Sequence, residues 1–346
     1  MKKLFITAFV LAAVFLVGPA ARAAIVGELD QDNLNKALNK QDSTVNLFNL
    51  SSATLTDLAT AVVSNDGMVT VKSNVAYFTN DQGFHKQAVG TITPATITSG
   101  AKLKLMAAQG NTMVVSNASG NSFLYYVAQG TKKSFTPKVK EITSASLTSN
   151  EKHLALVGQN AKGKKRLFIA HGTLPRLTEL DLPPGAKSCS VIALSENGQT
   201  VYAGCTFSNK RGGYAVAVLD GVNIKGNSRK IDGQQVLEAA WLNKSKLVTM
   251  TQDSQSVVSM KELITSNGKV LNTKVIGKTL LVDENTVAFP MSFLRSSSNA
   301  ILYNFIIVTT DGNPVGTTLG TYNTKTSDDQ NIYSGTRFLF LMEATL

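Results

Sequence analysis

The 346-residue chain is poor in the side chains that most often build catalytic and metal sites: it has only 3 His, 2 Cys and 1 Trp. The histidines, His85, His153 and His171, are scattered, and the chain contains no His-Glu-x-x-His or His-x-His pattern, so a zinc site is not expected. A Cys-x-x-Cys redox motif and a Gly-x-Ser-x-Gly nucleophile elbow are also missing from the sequence. We therefore expect no catalytic residues, no metal and no cofactor.

Acidic side chains do not form a recognisable calcium loop. The closest groups are Asp30-Gln-Asp32 and Asp328-Asp329. Neither continues into a loop with a glycine and a bidentate glutamate at the required offsets. We interpret them as surface carboxylates.

The N-terminus carries the pattern of a secretory signal. Lys2 and Lys3 precede an apolar stretch, and the small-residue site Ala21-Arg22-Ala23 follows it. The apolar stretch is shorter than the about 20 residues that a spanning helix needs. We therefore predict a signal peptide over residues 1–23, of a form typical of bacteria. The mature protein would be periplasmic or secreted, with no transmembrane segment.

The rest of the chain has the composition of an all-β secreted domain. Hydrophobic residues make up 43% and charged residues only 16%, which argues against disorder. The mature chain exceeds the usual size of a single hydrophobic core, yet no Pro-, Gly- or Ser-rich linker divides it. A repeat architecture resolves this conflict, because each repeat buries its faces against its neighbours.

One short pattern, a polar turn followed by an apolar β-type run, recurs along the chain. The segments 147–157 and 194–204 align without a gap, with Leu154 and Val201 at equivalent positions. The same register extends more weakly to Val69, Met113, Leu247, Val287 and Phe338. Seven repeats of this period predict a seven-bladed β-propeller of four-stranded antiparallel blades.

These two segments resemble the entry to the second strand in WD40-like and TolB-like propellers. In those proteins an apolar residue, a Ser-Pro-Asp-Gly-Lys type turn and a β run follow in order, and here the turns read Thr-Ser-Asn-Glu-Lys and Ser-Glu-Asn-Gly-Gln. The proline is absent, as are the Gly-His and Trp-Asp signatures. The resemblance is therefore to the superfamily and implies a binding scaffold without naming a partner.

The two ends of the chain are expected to close the ring. The final run, 337–342, reads as a second-strand position, so the last blade needs strands from elsewhere. Thr44–Phe48 is a short β-type run near the N-terminus that supplies one. We divide the chain into a signal peptide (1–23), an N-terminal arm with the closing strand (24–50) and the propeller (51–346). The segment 32–39 reads as either a short helix or a loose arm.

Cys189 and Cys205 flank a turn of the fourth repeat. Pairing Leu194 with Thr200 across that turn places the two cysteines directly opposite each other, where a disulfide is geometrically feasible. We predict this disulfide. A pair of buried free thiols is the alternative.

Positive charge is concentrated in one part of the chain. Residues 82–178 contain thirteen Lys or Arg and two acids, whereas 24–81 has three against seven, and 179–346 has fifteen against fourteen. Loops between second and third strands and the crossings between blades emerge on one face of a propeller. That rule predicts a basic binding rim made by seven residues: Lys162, Lys164, Lys165, Arg166, Lys187, Lys210 and Arg211.

The sequence thus favours a non-catalytic binding scaffold whose basic rim meets a protein or an anionic envelope polymer. Lysines that only keep hairpin tips soluble are the plainer interpretation. Nucleic acid is disfavoured because aromatic residues do not alternate with the basic ones at this rim. The alternative function is a central-channel enzyme or small-ligand binder, lactonase-like or glycan-cleaving. Such a site needs Asp, Glu, Asn or His converging from several inner strands, and inner strands such as 142–147 and 188–192 contain few of them. Separately, Glu238 is expected on an inner strand, where it can face the channel with Lys104 or Lys274 from other inner strands. The oligomeric state is left open.

Overall fold

The computed structural model describes residues 24–345, apart from 40, 52–53, 65–68, 173, 209–210, 218–228, 267–268, 296–298 and 343. The described part folds into seven sheets of four or five strands. The inner strand of each blade contacts the preceding blade all the way round, including the contact between the last sheet and the first. The protein is therefore a closed seven-bladed β-propeller, as the repeats predict.

The first elements belong to the blade that closes the ring. They are β1 (Ala24–Leu29), α1 (Gln31–Leu38), β2 (Ser43–Ser51) and β3 (Thr54–Ser64).

Blades 1 to 3 follow in chain order. Their strands are β4 (Val69–Lys72), β5 (Val75–Asn80), β6 (Gly83–Ala88), β7 (Ala95–Ser99), β8 (Leu103–Gln109), β9 (Thr112–Asn117), β10 (Phe123–Tyr126), β11 (Thr131–Ser134), β12 (Lys140–Leu147), β13 (His153–Gln159), β14 (Lys165–His171) and β15 (Thr178–Leu180).

Blades 4 to 6 and the C-terminal strands complete the ring. Their strands are β16 (Ser188–Leu194), β17 (Thr200–Thr206), β18 (Arg211–Ala217), β19 (Arg229–Asp232), β20 (Gln235–Trp241), β21 (Lys246–Gln252), β22 (Val258–Ser266), β23 (Lys269–Lys278), β24 (Leu280–Asp283), β25 (Thr286–Arg295), β26 (Ala300–Thr309), β27 (Pro314–Asn323), β28 (Asp329–Gly335), β29 (Phe338–Met342) and β30 (Ala344–Thr345).

The repeated polar turn has a specific hydrogen-bonding role between the first and second strands of a blade. In blade 3, Asn150 Oδ1 accepts bonds from the Thr148 hydroxyl and the Lys152 N–H, and in blade 4 Asn197 Oδ1 does the same for Ser195 and Gln199. The next residue has positive φ, 60° at Glu151 and 68° at Gly198. Asparagine side chains that bond to nearby backbone stabilise such turns.

Seven hydrophobic clusters hold the ring together, and each lies between two neighbouring blades. Trp241, for example, is 1% exposed and packs with Tyr202 of blade 4. Strands packed on both faces are apolar throughout, which explains runs such as the five consecutive buried residues of β13. A chain of this size therefore needs no linker, because its core is divided among seven interfaces.

Inner strands are also joined to the preceding blade by hydrogen bonds from backbone N–H groups to side-chain oxygens. The pairs are Leu105 with Thr79, Ile142 with Ser116, Leu194 with Ser146, Phe293 with Glu238, and Leu339 with Thr317. These bonds satisfy polar groups that are buried between sheets.

Closure occurs at blade 7, whose strand order is β29, β1, β2, β3. The C-terminal strand β29 is innermost and pairs with β1, with Phe338 opposite Leu29. Thr44–Phe48 lies in the next strand, β2, within the same sheet. The N-terminal run Thr44–Phe48 therefore supplies a strand to the last blade, as predicted. Between it and β29 lies β1, which pairs with both strands. The strand β2 runs across the expected boundary at residue 50. The segment 32–39 is helical, as one of its two interpretations held.

The weaker repeats were misaligned. Met113 and Leu247 lie on second strands as predicted, whereas Val69, Val287 and Phe338 lie on inner strands. Blade 6 explains part of the shift, because β25, β26 and β27 have 10 residues each and the additional strand β24 precedes them. The number of blades is unaffected.

Cys189 and Cys205 form the predicted disulfide. The register differs from the expected one, because Leu194 pairs with Val201 and not with Thr200. A bulge at Ser190 shifts the register by one residue and brings the cysteines opposite each other. Both cysteines are buried among the hydrophobic side chains between blades 3 and 4.

Candidate functional site: the loop face

The propeller has two unlike faces. One carries the turns between first and second strands, and we call it the turn face. The other carries the loops between second and third strands and the crossings between blades, and we call it the loop face. The predicted basic rim belongs to the loop face.

Four of the seven predicted rim residues are exposed lysines on the loop face: Lys162, Lys164, Lys165 and Lys187. The turn that carries the first two is held by Asn160, whose Oδ1 accepts bonds from the N–H groups of Lys162 and Lys164. The backbone N–H of Lys187 donates to the carbonyl of Thr206 in blade 4. The strand order thus places the lysines of blade 3 on the same face as the crossing to blade 4.

Arg166 differs from its neighbours. Its guanidinium forms ion pairs with Glu179 and Asp181 on the outer side of the same blade. Its charge is therefore compensated within the protein, and it is a weaker candidate for contact with a partner. Lys210 lies outside the described residues. Arg211 begins β18 opposite Thr206, and only its backbone is described.

The structure adds three exposed lysines to this surface. Lys102 precedes blade 2, and Lys138 and Lys140 lie in and after the crossing from blade 2 to blade 3. Sequence reasoning counted these charges without assigning them to the rim, although the same crossing rule places Lys138 there. We call the loop face of blades 2 to 4 the basic half. Its described acidic residues are Glu141, Glu179, Asp181 and Asp232. Glu179 and Asp181 are paired with Arg166, and only the backbone of Asp232 is described.

The loop face of blades 5, 6, 7 and 1 has the opposite charge. Its described acidic residues are Asp30, Asp32, Asp42, Asp81, Asp253, Asp283, Glu284 and Asp311. Described cations at the same loops and strand ends are Lys36, Lys278 and Arg337, and the last is paired with Glu28. We call this surface the acidic half. Asp30, one of the calcium candidates, accepts a bond from the N–H of Asn33 and so caps α1.

A polar cavity of about 220 Å³ opens beside the disulfide, between blades 4 and 5. Its lining residues are Ser190, Gly204, Cys205, Thr206, Gln235 and Val236. Ser190, the bulged residue of β16, is exposed into it. Hydroxyl, amide and backbone groups therefore lie next to the basic half, close in the chain to Lys187.

Glu238, Lys104 and Lys274, which the sequence suggested for the channel, do not form one cluster in the structure. Burial raises the pKa of Glu238 well above its usual value, and its carboxylate oxygen accepts a 3.3 Å bond from the N–H of Phe293. Lys274 lies in the outermost strand of blade 5, where its ammonium contacts Ser327 and the ring of Tyr322. Lys104 is half-buried in the inner strand of blade 2. In the described ranges no three His, Cys, Asp or Glu side chains are grouped as metal ligands.

The three histidines contact neighbouring side chains of the fold. His85 bonds to Asn80 and Thr96. His153 packs against His171 with ring centroids 4.2 Å apart, and its buried Nδ1 has no hydrogen-bond partner. Burial and the neighbouring His171 and Lys152 lower the pKa of His153. His153 is partly buried between its own hairpin and Gly198 in the turn of blade 4.

Comparison with known proteins shows a likeness of fold to solved structures. No protein-family model and no curated protein matches this chain. Among solved structures, a protein from Lactobacillus plantarum superposes with a TM-score of 0.59 at 12% identity, covering 93% of this chain and 99% of that one. An ancestral GH74 enzyme gives 0.55 at 13% identity, covering 93% of this chain and 48% of that one.

A TolB from Acinetobacter baumannii matches with a TM-score of 0.45 at 9% identity, over 94% of this chain and 68% of that one. At such identities the likeness is one of fold. No helix in the described part of the chain has the length and hydrophobicity to cross a membrane. The comparisons thus agree with the β-propeller fold.

Proposed function

We propose that this protein is a non-catalytic binding scaffold outside the cytoplasm, and that the basic half of its loop face holds an acidic partner, a protein or an anionic envelope polymer. The observation that carries the proposal is the set of exposed lysines on one face of three consecutive blades, of which Lys162, Lys164 and Lys165 are the densest group. Clustered cations raise the local concentration of acidic partners and accelerate encounter.

The ion pairs of Arg166 support the choice of the neighbouring lysines as the residues that contact the partner. Glu179 and Asp181 neutralise Arg166 and leave the exposed lysines of the same hairpin to act on a partner. A single surface pair contributes about 0–1 kcal/mol. Useful affinity therefore requires several lysines acting together, as the extent of the basic half allows.

The disulfide supports the proposed location outside the cytoplasm. Structural disulfides form and persist in oxidising compartments such as the periplasm or the exterior. Together with the predicted signal peptide, the bonded pair Cys189 and Cys205 favours an extracytoplasmic protein. The channel alternative receives no support from Glu238, because its buried carboxyl bonds to the N–H of Phe293 in the neighbouring blade.

The test compares two triple variants that remove the same charge from opposite faces. One is Lys162→Ser with Lys164→Ser and Lys165→Ser on the loop face. The matched control is Lys152→Ser with Lys244→Ser and Lys325→Ser, exposed lysines of the turn face. Binding to immobilised polyglutamate and to lipopolysaccharide is measured at low salt and at about 1 M salt, where charges are screened beyond about 3 Å.

We expect the loop-face variant to lose at least tenfold in affinity and most of its salt dependence, while the control binds like the wild type. Polyglutamate stands for an acidic protein and lipopolysaccharide for an envelope polymer, so the two probes distinguish the two kinds of partner. Equal binding by all three proteins would show that these lysines only solubilise the hairpin tips.

A further inference from the structure

The two halves of the loop face are complementary to each other. The basic half covers blades 2 to 4 and the acidic half covers blades 5, 6, 7 and 1. In a ring of seven blades the centres of these halves lie opposite each other across the channel axis. A two-fold axis in the plane of the loop face, running between the halves, therefore places the basic half of one copy over the acidic half of a second copy, and the reverse. Such a contact is isologous and satisfies both charge sets at once.

An exposed apolar strand lies on the same face. In the described part of the chain eight large hydrophobic side chains are exposed, and three of them form β24: Leu280 at 49%, Leu281 at 71% and Val282 at 54%. Among the described strands it forms one edge of the blade 6 sheet and pairs only with β25. Contiguous exposed apolar groups and unpaired strand edges commonly mark interaction surfaces.

Blade 6 has a longer inner strand than blade 5 at its loop-face end. Its inner strand β25 has five residues before the bulge at Met291, whereas β20 of blade 5 has two before its bulge at Leu237. Its strands β26 and β27 have 10 residues each, and β24 pairs with the loop-face end of β25. The two-fold arrangement places blade 6 of one copy opposite blades 3 and 4 of the other. There the stems of Lys164 and Lys165 can cover apolar surface while their ammonium groups meet Glu284 and Asp311.

We propose that this propeller associates with a second copy of itself through the loop face, with the basic half of each copy on the acidic half of the other and β24 at the contact. The contact uses the surface to which the proposed function assigns the acidic partner. Dimer formation and partner binding therefore compete, and an acidic polymer should dissociate the dimer.

The test uses two charge-reversal variants at exposed positions. One carries Lys164→Glu and Lys165→Glu, and the other carries Glu284→Lys and Asp311→Lys. Each variant alone places like charges together at both contacts of the dimer. When the two are mixed, both contacts become attractive again. A control, Lys152→Glu with Lys244→Glu, makes the same charge change as the first variant on the turn face.

Sedimentation velocity over a concentration series gives the result. We expect the wild type and the control to form dimers that dissociate as salt rises, each charge-reversal variant to be monomeric, and their equimolar mixture to recover a dimer. Leu281→Gln, at a position that is mostly exposed, should weaken the dimer severalfold without changing the thermal midpoint. Thermal unfolding checks that every variant is folded.

A wild type that stays monomeric at its highest soluble concentration overturns the proposal, as does a mixture of folded variants that fails to associate. These outcomes are separable from failure of the proposed function. A monomeric wild type that still binds polyglutamate through its lysines removes the dimer alone. If the wild type dimerises but the monomeric variant with Glu284→Lys and Asp311→Lys, whose basic half is uncovered, binds neither acidic probe, the acidic partner alone is removed.

Discussion

Arg295 of blade 6 reaches past the end of blade 5 and donates a 2.6 Å hydrogen bond to Glu196 in the turn of blade 4. The same guanidinium nitrogen bonds to the carbonyl of Trp241 in blade 5. Glu196 also accepts bonds from the N–H and the hydroxyl of Ser149 in blade 3. Arg295 and Glu196 together thus link the turn-face ends of blades 3, 4, 5 and 6.

We expect Arg295→Met to destabilise the fold markedly. Removing one partner of a fully buried ion pair costs about 3–5 kcal/mol. The side chain of Glu196 is 23% exposed, so solvent relieves part of that cost and we expect a loss of about 1–3 kcal/mol. Urea unfolding measures it, and Lys152→Met on the same face is the control. The double variant with Glu196→Gln should show a coupling energy, and equal stability of Arg295→Met and Lys152→Met would contradict the role of this pair.

Glu238 should make stability depend on pH. Burial raises the pKa of its carboxyl well above the usual value, so the folded state favours the protonated form. That contribution is fully present below the unfolded pKa of about 4.5 and is lost as the pH rises through the folded pKa. Glu238→Gln keeps an oxygen for the N–H of Phe293 without the charge. We therefore expect the variant to gain stability over the wild type as the pH rises above about 4.5.

Chemical denaturation at a series of pH values measures this difference between Glu238→Gln and the wild type. Glu284→Gln, at an exposed carboxyl of blade 6, is the control and should track the wild type. A constant difference between Glu238→Gln and the wild type from acid to alkaline pH would show that the carboxyl does not titrate differently on folding.

The disulfide is expected to stabilise the hairpin of blade 4. A closed loop of about 15 residues contributes up to about 3 kcal/mol, and the two cysteines are 16 residues apart. Urea unfolding of the double variant Cys189→Ala with Cys205→Ala should show this loss, and reductant should lower the wild type to a similar level without affecting the variant. Intact mass after alkylation checks the bond itself, because two modified thiols in unreduced protein would contradict it.

Closure by the N-terminal strands is expected to prevent aggregation through an open sheet edge. Deleting residues 24–50 removes β1 and β2 and leaves β29 with an unpaired edge. Exposed edges template association with other chains, so the shortened chain should aggregate on light scattering while the chain starting at Ala24 stays dispersed. A shortened chain that is soluble and equally stable would mean that the ring closes by another route.

The blade count and the disulfide were predictable because they rest on local chemistry. The turns at Asn150 and Asn197 are built by side-chain bonds to backbone only two residues away, so they recur as a readable pattern. Where that pattern is weak, as at Val287, the repeat was aligned to the wrong strand. Strand length in blade 6 is set by sheet packing and not by the local turn pattern. The position of β1 beside β29 joins residues more than 300 apart in the chain, and no local pattern specifies it.

For the candidate site, the sequence by itself determined how much charge there is and which segment holds it. Strand order, inferred from the meander, correctly placed Lys162, Lys164 and Lys187 on one face. Only the tertiary structure decided that Arg166 is neutralised, that the acidic residues of distant segments collect on the other half of that face, and that the apolar strand β24 is exposed within that half. The reason is physical: Coulomb interactions and burial depend on distances through space, which the ring sets when its seventh blade joins the two ends of the chain.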